Sequence, residues 1–382
     1  MSKKIALITT QKGVVSGVTV FMELMQRELM TRGYQADLLR PVPHSFTEIG
    51  TISSILSYGL LREELKSYDL AMGNGIGLTG AVDLPITLID NIHSTSSGAN
   101  EALEKAYQNM DESERTWMDY VMDKLMGQVA NDIPQALATK RNSFDVDRIV
   151  AQHSQEIITV SPANRDEVIK YFEVPEERIS VVPNGIEKYW SQDRKIVQDI
   201  SSHPLNVVYT GRAGYTTINM FLKGIDRILA VLGAVTDAQP IALFHLAKED
   251  KQAVYSQMLN ERGIRHYYNV ENKDLAHYLR AGDIYIHTSR YESCSLSLME
   301  AMASGLVPVS FPAGMASIQI QDGINGFIVT SISEMSARIQ QLTADPTLRA
   351  RLSANAAETI RTHYSVDKML NGYLTSFERL LT

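Results

Sequence analysis

The sequence has little cysteine, no long apolar run and no excess of positive charge. One cysteine in 382 residues, Cys294, excludes an intramolecular disulfide and any site with several cysteine ligands. No stretch approaches the roughly 20 consecutive apolar residues of a membrane-spanning helix, and the start, MSKKIALITT, has too short an apolar run for a signal peptide. The formal net charge of −8 disfavours a nucleic-acid partner, because phosphate backbones are bound mainly by clustered Lys and Arg. We therefore expect a cytoplasmic protein.

The residues that are present favour two α/β domains. An apolar content of 44% is enough for sizeable cores, and 382 residues are too many for a single one. KIALITT predicts a buried strand, an amphipathic helix ending at Gly33 follows, and QADLL predicts the next strand. This order is typical of a parallel sheet covered by helices. A second series begins at LNVVYTGR, after a stretch without sustained pattern, so the sequence predicts two doubly wound α/β halves.

Three short motifs resemble known sites but lack the context that those sites need. GIGLTG, residues 75–80, matches the dinucleotide-binding glycine pattern, yet a strand follows too soon for a full helix, so we interpret it as a glycine-rich connection. DVD, residues 145–147, precedes a helical run, where acidic residues favour the helix N-terminus. Asp90 and His93 have no further ligands at metal-binding spacing. We expect no metal site here.

The stretch SRYESCSLSLMEAMASG, residues 289–305, leaves two interpretations open. Ser297 and Glu300 match the Ser-x-x-Glu capping box, in which case Glu300 only begins a helix that ends at Gly305. Alternatively, the stretch follows an apolar strand at the carboxyl edge of a parallel sheet, where the first amides of a helix bind anions. Glu292 and Glu300 would then accept hydrogen bonds from sugar or ribose hydroxyls.

This stretch resembles the glutamate–seven–glutamate signature of the family four glycosyltransferases, which are retaining enzymes with the GT-B fold. Further segments resemble other elements of that family in the same order: VVSGVTVFMELMQRELMTRGY, ITLIDNIH, IITVSPANRDEVIKYF, ISVVPNGI, VVYTGR, KGIDRIL and DGINGFIV. The likeness covers most of the chain and is weakest over residues 40–85 and 94–150. It implies two Rossmann-like domains that face each other across a cleft, with the C-terminal helix returning to the N-terminal domain.

The resemblance also implies domain boundaries. We expect an N-terminal acceptor-binding domain over 1–187, a linker over 188–203, a C-terminal nucleotide-sugar-binding domain over 204–362 and a terminal helix over 363–382. The polar helical segment 101–152 has an apolar face that we expect to pack against the N-terminal sheet. The segment would shape the acceptor site or a partner surface. Peripheral membrane contact through this segment would be weak, because acidic residues interleave with the basic ones.

The family assigns roles to individual residues of this sequence. The catalytic group would comprise Glu292 on the donor-sugar hydroxyls, Arg212 and Lys223 on the leaving diphosphate, and His93 near the transferred sugar. Donor binding would involve Glu300 on the ribose, Gly17 in a loop that approaches closely because it has no side chain, and the backbone amides around Ser295 and Leu296. Each residue also has an ordinary explanation, as a surface cation, a helix cap, a strand-end histidine or a turn glycine.

Several positions depart from the family pattern. The stretch AGYTTINMFL between Arg212 and Lys223 is several residues longer than usual, which weakens the assignment of Lys223. Cys294 and Ser295 stand where an aromatic residue and a glycine are common, and Ile318 stands where a glutamate is frequent. These differences leave the donor open and allow for a weakened site.

The function that the resemblance implies is sugar transfer with retention and without an obligatory metal or other cofactor. A hexosyl or N-acetylhexosaminyl group would move from a nucleotide diphosphate sugar, a UDP-sugar being favoured, to a hydroxyl of a glycan, lipid-linked or protein acceptor in cell-surface glycan or glycoconjugate biosynthesis. One alternative is a catalytically silent GT-B protein that binds a nucleotide sugar or glycan and stabilises a partner enzyme. Another is an epimerase or phosphorylase of the same fold.

Overall fold

The computed structural model describes residues 3–9, 17–41, 50–126, 144–191, 205–213, 216–246 and 251–381. The chain divides into two units. The first comprises Met1–Gly98, Lys140–Pro183 and Asp367–Thr382, and the second comprises Ala99–Thr139 and Asn184–Val366.

Each unit is built on a six-stranded sheet whose neighbouring strands are parallel. The first sheet has the order β2-β1-β3-β4-β5-β6 and contains β1 (Lys4–Ile8), β2 (Gln35–Leu39), β3 (Leu70–Gly73), β4 (Thr87–Ile92), β5 (Glu156–Thr159) and β6 (Ile179–Val181). The second has the order β12-β11-β10-β7-β8-β9 and contains β7 (Asn206–Ala213), β8 (Gln239–Leu246), β9 (Arg265–Tyr268), β10 (Ile284–His287), β11 (Val307–Ser310) and β12 (Phe327–Ile328). The central strands are buried apolar runs, as expected where helices cover both faces.

The helices connect and cover these strands. In chain order they are α1 (Gly17–Thr31), α2 (Gly50–Gly59), α3 (Arg62–Leu65), α4 (Ser96–Gln108), α5 (Glu112–Met126), α6 (Phe144–His153), α7 (Pro162–Phe172), α8 (Thr217–Lys223), α9 (Ile225–Gly233), α10 (Gln252–Asn260), α11 (Asn272–Arg280), α12 (Leu296–Ala303), α13 (Ala316–Gln319), α14 (Ile332–Ala344), α15 (Pro346–His363) and α16 (Val366–Leu381). Two parallel sheets with flanking helices confirm the predicted pair of doubly wound α/β domains.

The C-terminal helix α16 packs in the first unit, as the resemblance implies. Its apolar face shares a core with β1, β3 and α1. Glu156 on β5 is fully buried and accepts hydrogen bonds from Ser376 Oγ of this helix at 2.6 Å and from Ser180 Oγ at 2.7 Å. The guanidinium of Arg379 lies 2.6 Å from its other carboxylate oxygen. A buried carboxylate is tolerated when it is paired in this way, so these contacts hold the helix in one position on the sheet.

The expectation that the helical segment 101–152 packs against the N-terminal sheet is wrong for helix α5 and the end of α4. Their apolar face, including Leu103, Met118 and Val121, lies in the core of the second unit. The indole Nε1 of Trp117 donates a hydrogen bond to the carbonyl of Asp226 at 2.8 Å. Helix α6, at the end of the segment, lies in the first unit, and residues 127–143 are outside the described residues. An amphipathic pattern predicts that a helix has a packing partner, but it does not identify the partner.

Part of the predicted linker is folded. Lys188–Ser191 form a 3₁₀ turn whose Trp190 is buried in the second unit. Ser304 Oγ donates to the Trp190 carbonyl at 3.3 Å, and the Arg280 guanidinium donates to the carbonyl of Tyr189. Residues 192–204 lie outside the described part of the chain.

Replacing Glu156 with alanine tests the contacts that hold α16. The change removes the acceptor for Ser376 and Ser180 and the partner of Arg379, so we expect the free energy of unfolding of the first unit to fall by about 2–4 kcal/mol. Urea denaturation followed by circular dichroism measures it. The control is Glu358→Ala, because that carboxylate forms an exposed ion pair with Arg361 and should leave stability unchanged. Equal losses in both variants would contradict the assignment.

Candidate active site

The loop after β10 leads into a helix whose start differs from the predicted capping box. Ser295 is the N-cap of α12, and its side chain accepts a hydrogen bond from the Leu298 amide at 3.4 Å. Ser297 lies inside the first turn of α12, so the interpretation of Ser297 and Glu300 as a capping box is wrong. The other end agrees with the prediction, because Gly305 follows the last turn with a φ of +83°. Glu300 is therefore not needed to begin the helix.

Glu300 is a partly buried carboxylate in the middle of α12. Its carboxylate oxygens have no hydrogen-bond partner among the described residues. Burial, with a contribution from the nearby Glu187, raises the pKa of Glu300 to about 7. A carboxylate in this state has acceptor oxygens available for a ligand hydroxyl.

Glu292 lies in the loop and forms an ion pair with Lys223. The exposed fractions of these two side chains are 16% and 28%, so the pair is mostly shielded from water. Burial by itself would raise the pKa of Glu292, but the charge and hydrogen bond of Lys223, with contributions from His287 and Ser289, hold this pKa below its ordinary value. Ser289 Oγ adds a contact at 3.5 Å to the same oxygen.

The additional residues between Arg212 and Lys223 include helix α8, which ends at Lys223. Gly224 follows with a φ of +68°, and a Cβ there would lie 2.4 Å from the carbonyl oxygen of Thr288. Thr288 Oγ1 in turn donates to the Lys223 carbonyl at 2.9 Å. Lys223 therefore meets the Glu292 loop despite the longer connection, because glycine permits the close approach.

Arg212 lies near the carboxyl end of β7 and is exposed. Strand β7 is the parallel neighbour of β10, so Arg212 and the Glu292 loop lie at the same edge of the second sheet. Arg212 is paired in register with His245, and burial together with the Arg212 charge lowers the pKa of His245. The edge therefore combines two cations with the N-terminus of α12.

A buried ion pair that sequence reasoning missed supports this edge. Arg290 forms two hydrogen bonds with the Asp226 carboxylate, at 2.7 and 2.6 Å, and the two side chains are 2% and 3% exposed. Arg290 also donates to the Phe221 carbonyl at 2.9 Å. Burial raises the pKa of Asp226, but the charge and hydrogen bonds of Arg290, together with the charge of Arg227, lower it below its ordinary value. The sequence feature that could have indicated this pair is its position. Asp226 lies three residues after Lys223, and Arg290 lies two residues before Glu292.

Gly314 makes a second contact with the Glu292 loop that the sequence did not predict. It has a φ of +54°, and a Cβ on it would lie 1.9 Å from the carbonyl oxygen of Glu292. The amide of the next residue, Met315, donates to the Ser293 carbonyl at 2.9 Å. The segment after β11 thus packs directly against the backbone of the Glu292 loop, and only glycine fits there.

In the first unit, His93 follows strand β4. Its Nε2 lies 2.8 Å from the side-chain nitrogen of Asn91, and its ring meets the edge of Phe21 with centroids 5.2 Å apart. Burial lowers the pKa of His93 to about 4, so the ring is neutral near pH 7. Gly17 is the first residue of α1 in the same unit, and the preceding residues 10–16 lie outside the described part.

The GIGLTG and DVD motifs and Asp90 also lie in the first unit and close to one another. Gly75–Leu78 form a 3₁₀ turn, which confirms GIGLTG as a connection. The buried Asp90 accepts a hydrogen bond from the Gly75 amide at 2.8 Å. Burial raises the pKa of Asp90 to about 8, and it raises the pKa of Asp147 of the DVD motif to about 6. The structure therefore divides the predicted residues between the units, with Glu292, Arg212, Lys223, Glu300, Ser295 and Leu296 in the second and His93 and Gly17 in the first.

Removing the carboxylate of Asp226 tests the support of the Glu292 loop. In Asp226→Asn the buried Arg290 charge loses its partner, and we expect the free energy of unfolding of the second unit to fall by about 3–5 kcal/mol. Chemical denaturation measures the change. Asp237→Asn, which alters an exposed carboxylate of the same unit, should be neutral. A loss in Asp226→Asn no larger than in this control would contradict the role of the pair.

The raised pKa of Asp90 predicts a pH dependence of stability. The folded chain keeps this proton up to about pH 8, whereas the unfolded chain loses it near pH 4. Since the folded state binds more protons between these values, its free energy of unfolding falls as pH rises across the window. Asp90→Asn should flatten the fall, measured by denaturation from pH 4.5 to 8. The control Asp166→Asn, on a mostly exposed side chain, should keep the wild-type slope, and an unchanged slope in Asp90→Asn would refute the prediction.

Comparison with known proteins agrees with this arrangement. Residues 220–359 match the sequence model of the family described as Glycosyl transferases group 1, and residues 132–188 match that of Glycosyltransferase Family 4. The chain is 25% identical over 218 residues to an MMP alpha-(1->4)-mannosyltransferase of Mycolicibacterium hassiacum, covering 55% of this chain and 51% of that protein. It is 26% identical over 231 residues to a poly(ribitol-phosphate) alpha-N-acetylglucosaminyltransferase of Staphylococcus aureus, covering 58% of this chain and 43% of that protein. The chain thus spans about half the length of these relatives.

A solved structure extends the likeness to nearly the whole fold. HepE of Anabaena, solved in complex with UDP and glucose, superposes with a TM-score of 0.71 at 16% identity, covering 98% of this chain and 99% of HepE. Identity this low shows the fold alone. With the two parallel sheets, this likeness shows that the chain has the GT-B fold, and residues 132–188 and 220–359 carry the sequence signatures of the family 4 and group 1 glycosyltransferases.

Proposed function

We propose that this chain transfers a sugar from a nucleotide diphosphate sugar to a hydroxyl of a glycan or glycoconjugate, with retention at the anomeric carbon. The observation that supports this best is the Lys223–Glu292 ion pair at the carboxyl edge of the second sheet, beside the N-terminus of α12. This edge is where open α/β sheets bind ligands. The carboxylate is suited to sugar hydroxyls and the ammonium to phosphate.

The diphosphate would bind between Arg212, Lys223 and the first turn of α12. Helix N-termini attract anions through unpaired amides and the helix dipole, and the two cations add full charges. Negative charge on the diphosphate grows as the bond to the sugar breaks, so these groups stabilise the transition state more than the bound donor. They would perform this task without an obligatory metal, and no other cofactor is proposed.

The two glutamates would divide the donor between them. Glu292 would accept hydrogen bonds from sugar hydroxyls, and it is kept ionised for this purpose by Lys223. Glu300 would accept from the ribose, and its pKa of about 7 favours tighter binding above neutral pH, where it is a full acceptor. Support for a UDP-sugar comes from HepE, solved with UDP and glucose, and support for a hexosyl or N-acetylhexosaminyl group comes from the names of the two relatives.

The first unit would supply the acceptor side, with His93 near the transferred sugar and Gly17 in the loop that approaches the donor. A neutral His93 cannot add a charge, so it would act through hydrogen bonds.

No helix in the described part of the chain is long and apolar enough to span a bilayer.

Binding and turnover test the proposal together. Thermal unfolding with UDP, GDP and ADP, and then with UDP-glucose, UDP-N-acetylglucosamine and GDP-mannose, should show stabilisation by one nucleotide family, because a ligand of the folded state raises its melting temperature. We expect Arg212→Ala and Glu300→Ala to weaken binding of that nucleotide at least tenfold, or about 1.4 kcal/mol. Lys223→Ala should lower kcat of sugar transfer by about 10²–10³.

The matched control is Arg361→Ala, which removes an exposed cation of the second unit that is paired with Glu358. This variant should bind and turn over like wild type. If wild type binds a nucleotide sugar but neither hydrolyses nor transfers it, the silent GT-B alternative replaces the proposal. If no nucleotide stabilises the chain, the donor site itself is refuted.

A further inference from the structure

A chain of hydrogen bonds in the first unit connects the C-terminal helix to His93. The hydroxyl of Tyr373, on α16, donates to Asn91 Oδ1 at 2.8 Å. The other end of that amide, Asn91 Nδ2, lies 2.8 Å from His93 Nε2. Tyr373 and Asn91 are both fully buried, and they are 282 residues apart in sequence.

The orientation of the Asn91 amide indicates which ring nitrogen of His93 bears the proton. An amide NH₂ group can only donate a hydrogen bond, so the nitrogen that faces it must present a lone pair. In this orientation of Asn91 that nitrogen is Nε2, and a neutral ring must then hold its proton on Nδ1. Among the described residues, the His93 ring makes one hydrogen bond, which is the one with Asn91. The Nδ1–H group can therefore donate to a ligand.

An aromatic contact holds the ring in this orientation. Phe21 of α1 packs edge-on against His93, with ring planes at 75°, and also against Tyr373, with centroids 5.4 Å apart. His93 as a residue is of intermediate exposure. Phe21 therefore restrains the ring without excluding the residue from contact with a ligand.

We propose that Tyr373 and Asn91 are positioning residues that hold His93 as the Nδ1–H tautomer and present Nδ1–H as a hydrogen-bond donor to a hydroxyl or ring oxygen of the bound sugar. This rests on the proposed function for the identity of the ligand, but the tautomer itself does not depend on it. His93 then acts as a donor that orients the sugar, and it does not remove a proton from the acceptor.

Nuclear magnetic resonance of protein labelled with ¹⁵N at histidine tests the tautomer directly. Long-range ¹H–¹⁵N spectra distinguish a protonated ring nitrogen from an unprotonated one, and His93→Gln identifies the His93 signals. We expect wild type to show a protonated Nδ1 and an unprotonated Nε2. A protonated Nε2 in wild type would overturn the proposal, since it would require the opposite orientation of Asn91.

Two variants test the chain of contacts. In Asn91→Asp the carboxylate can only accept, so Nε2 should become protonated. In Tyr373→Phe the amide loses the donor that faces Oδ1, and both tautomers should appear. This variant removes a single oxygen atom, so we expect it to fold even if Asn91→Asp does not. The control is Tyr68→Phe, whose hydroxyl bonds to Asp37 at 3.1 Å elsewhere in the first unit, and it should show the wild-type spectrum. An unchanged tautomer in Tyr373→Phe would refute the role of Tyr373.

Kinetics then separate this inference from the proposed function. For Tyr373→Phe we expect kcat of sugar transfer to fall about tenfold with little change in nucleotide affinity, because the proposed nucleotide contacts lie in the second unit. If the spectra agree with the proposal but wild type transfers no sugar, the proposed function fails and the tautomer assignment stands. If wild type transfers sugar but Nε2 is protonated, the assignment fails and the function stands.

Discussion

The buried ion pair between Arg290 and Asp226 is the interaction on which the candidate donor site depends. Arg290 belongs to the segment that contains Glu292, and Asp226 belongs to the segment that contains Lys223, so the pair joins the two parts of the chain whose charges form the site. Because both side chains are almost excluded from water, neither charge is tolerated without the other. Trp117 of α5 donates to the Asp226 carbonyl, which attaches the helix to the same support.

A similar constraint acts in the first unit, where the last helix of the chain completes a core that begins with the first strand. Glu156 and Asn91 lie on neighbouring strands, and each accepts a hydrogen bond from α16, through Ser376 and Tyr373. Buried polar groups need partners, so these contacts specify where the helix lies more narrowly than apolar packing does. Asn91, which contacts His93, is consequently held by a helix that lies 282 residues away in sequence.

Much of the fold and part of the site could be predicted from local patterns. The short apolar runs and the helices between them predict two parallel sheets, whereas the spacing of Glu292 and Glu300 leaves a ligand edge and an ordinary helix start both open. The prediction of Ser297 as the N-cap was wrong because Ser295 is a residue of the same type. Which of the two serines caps the helix depends on the backbone conformation of the loop. The predicted packing of α5 was wrong because an amphipathic pattern shows that a helix has a packing partner but does not identify it.

The sequence by itself determined the class of fold, the loop that bears Glu292 and most of the charged residues that are candidates for the donor site. These features depend on periodicity and short spacing. Only the tertiary structure decided that Lys223 pairs with Glu292 despite a longer connection, that Arg290 is neutralised by Asp226 and that His93 is neutral. Each of these depends on groups far apart in the chain and on how much water surrounds them. Burial and long-range pairing are properties of the packed chain, and no local pattern contains them.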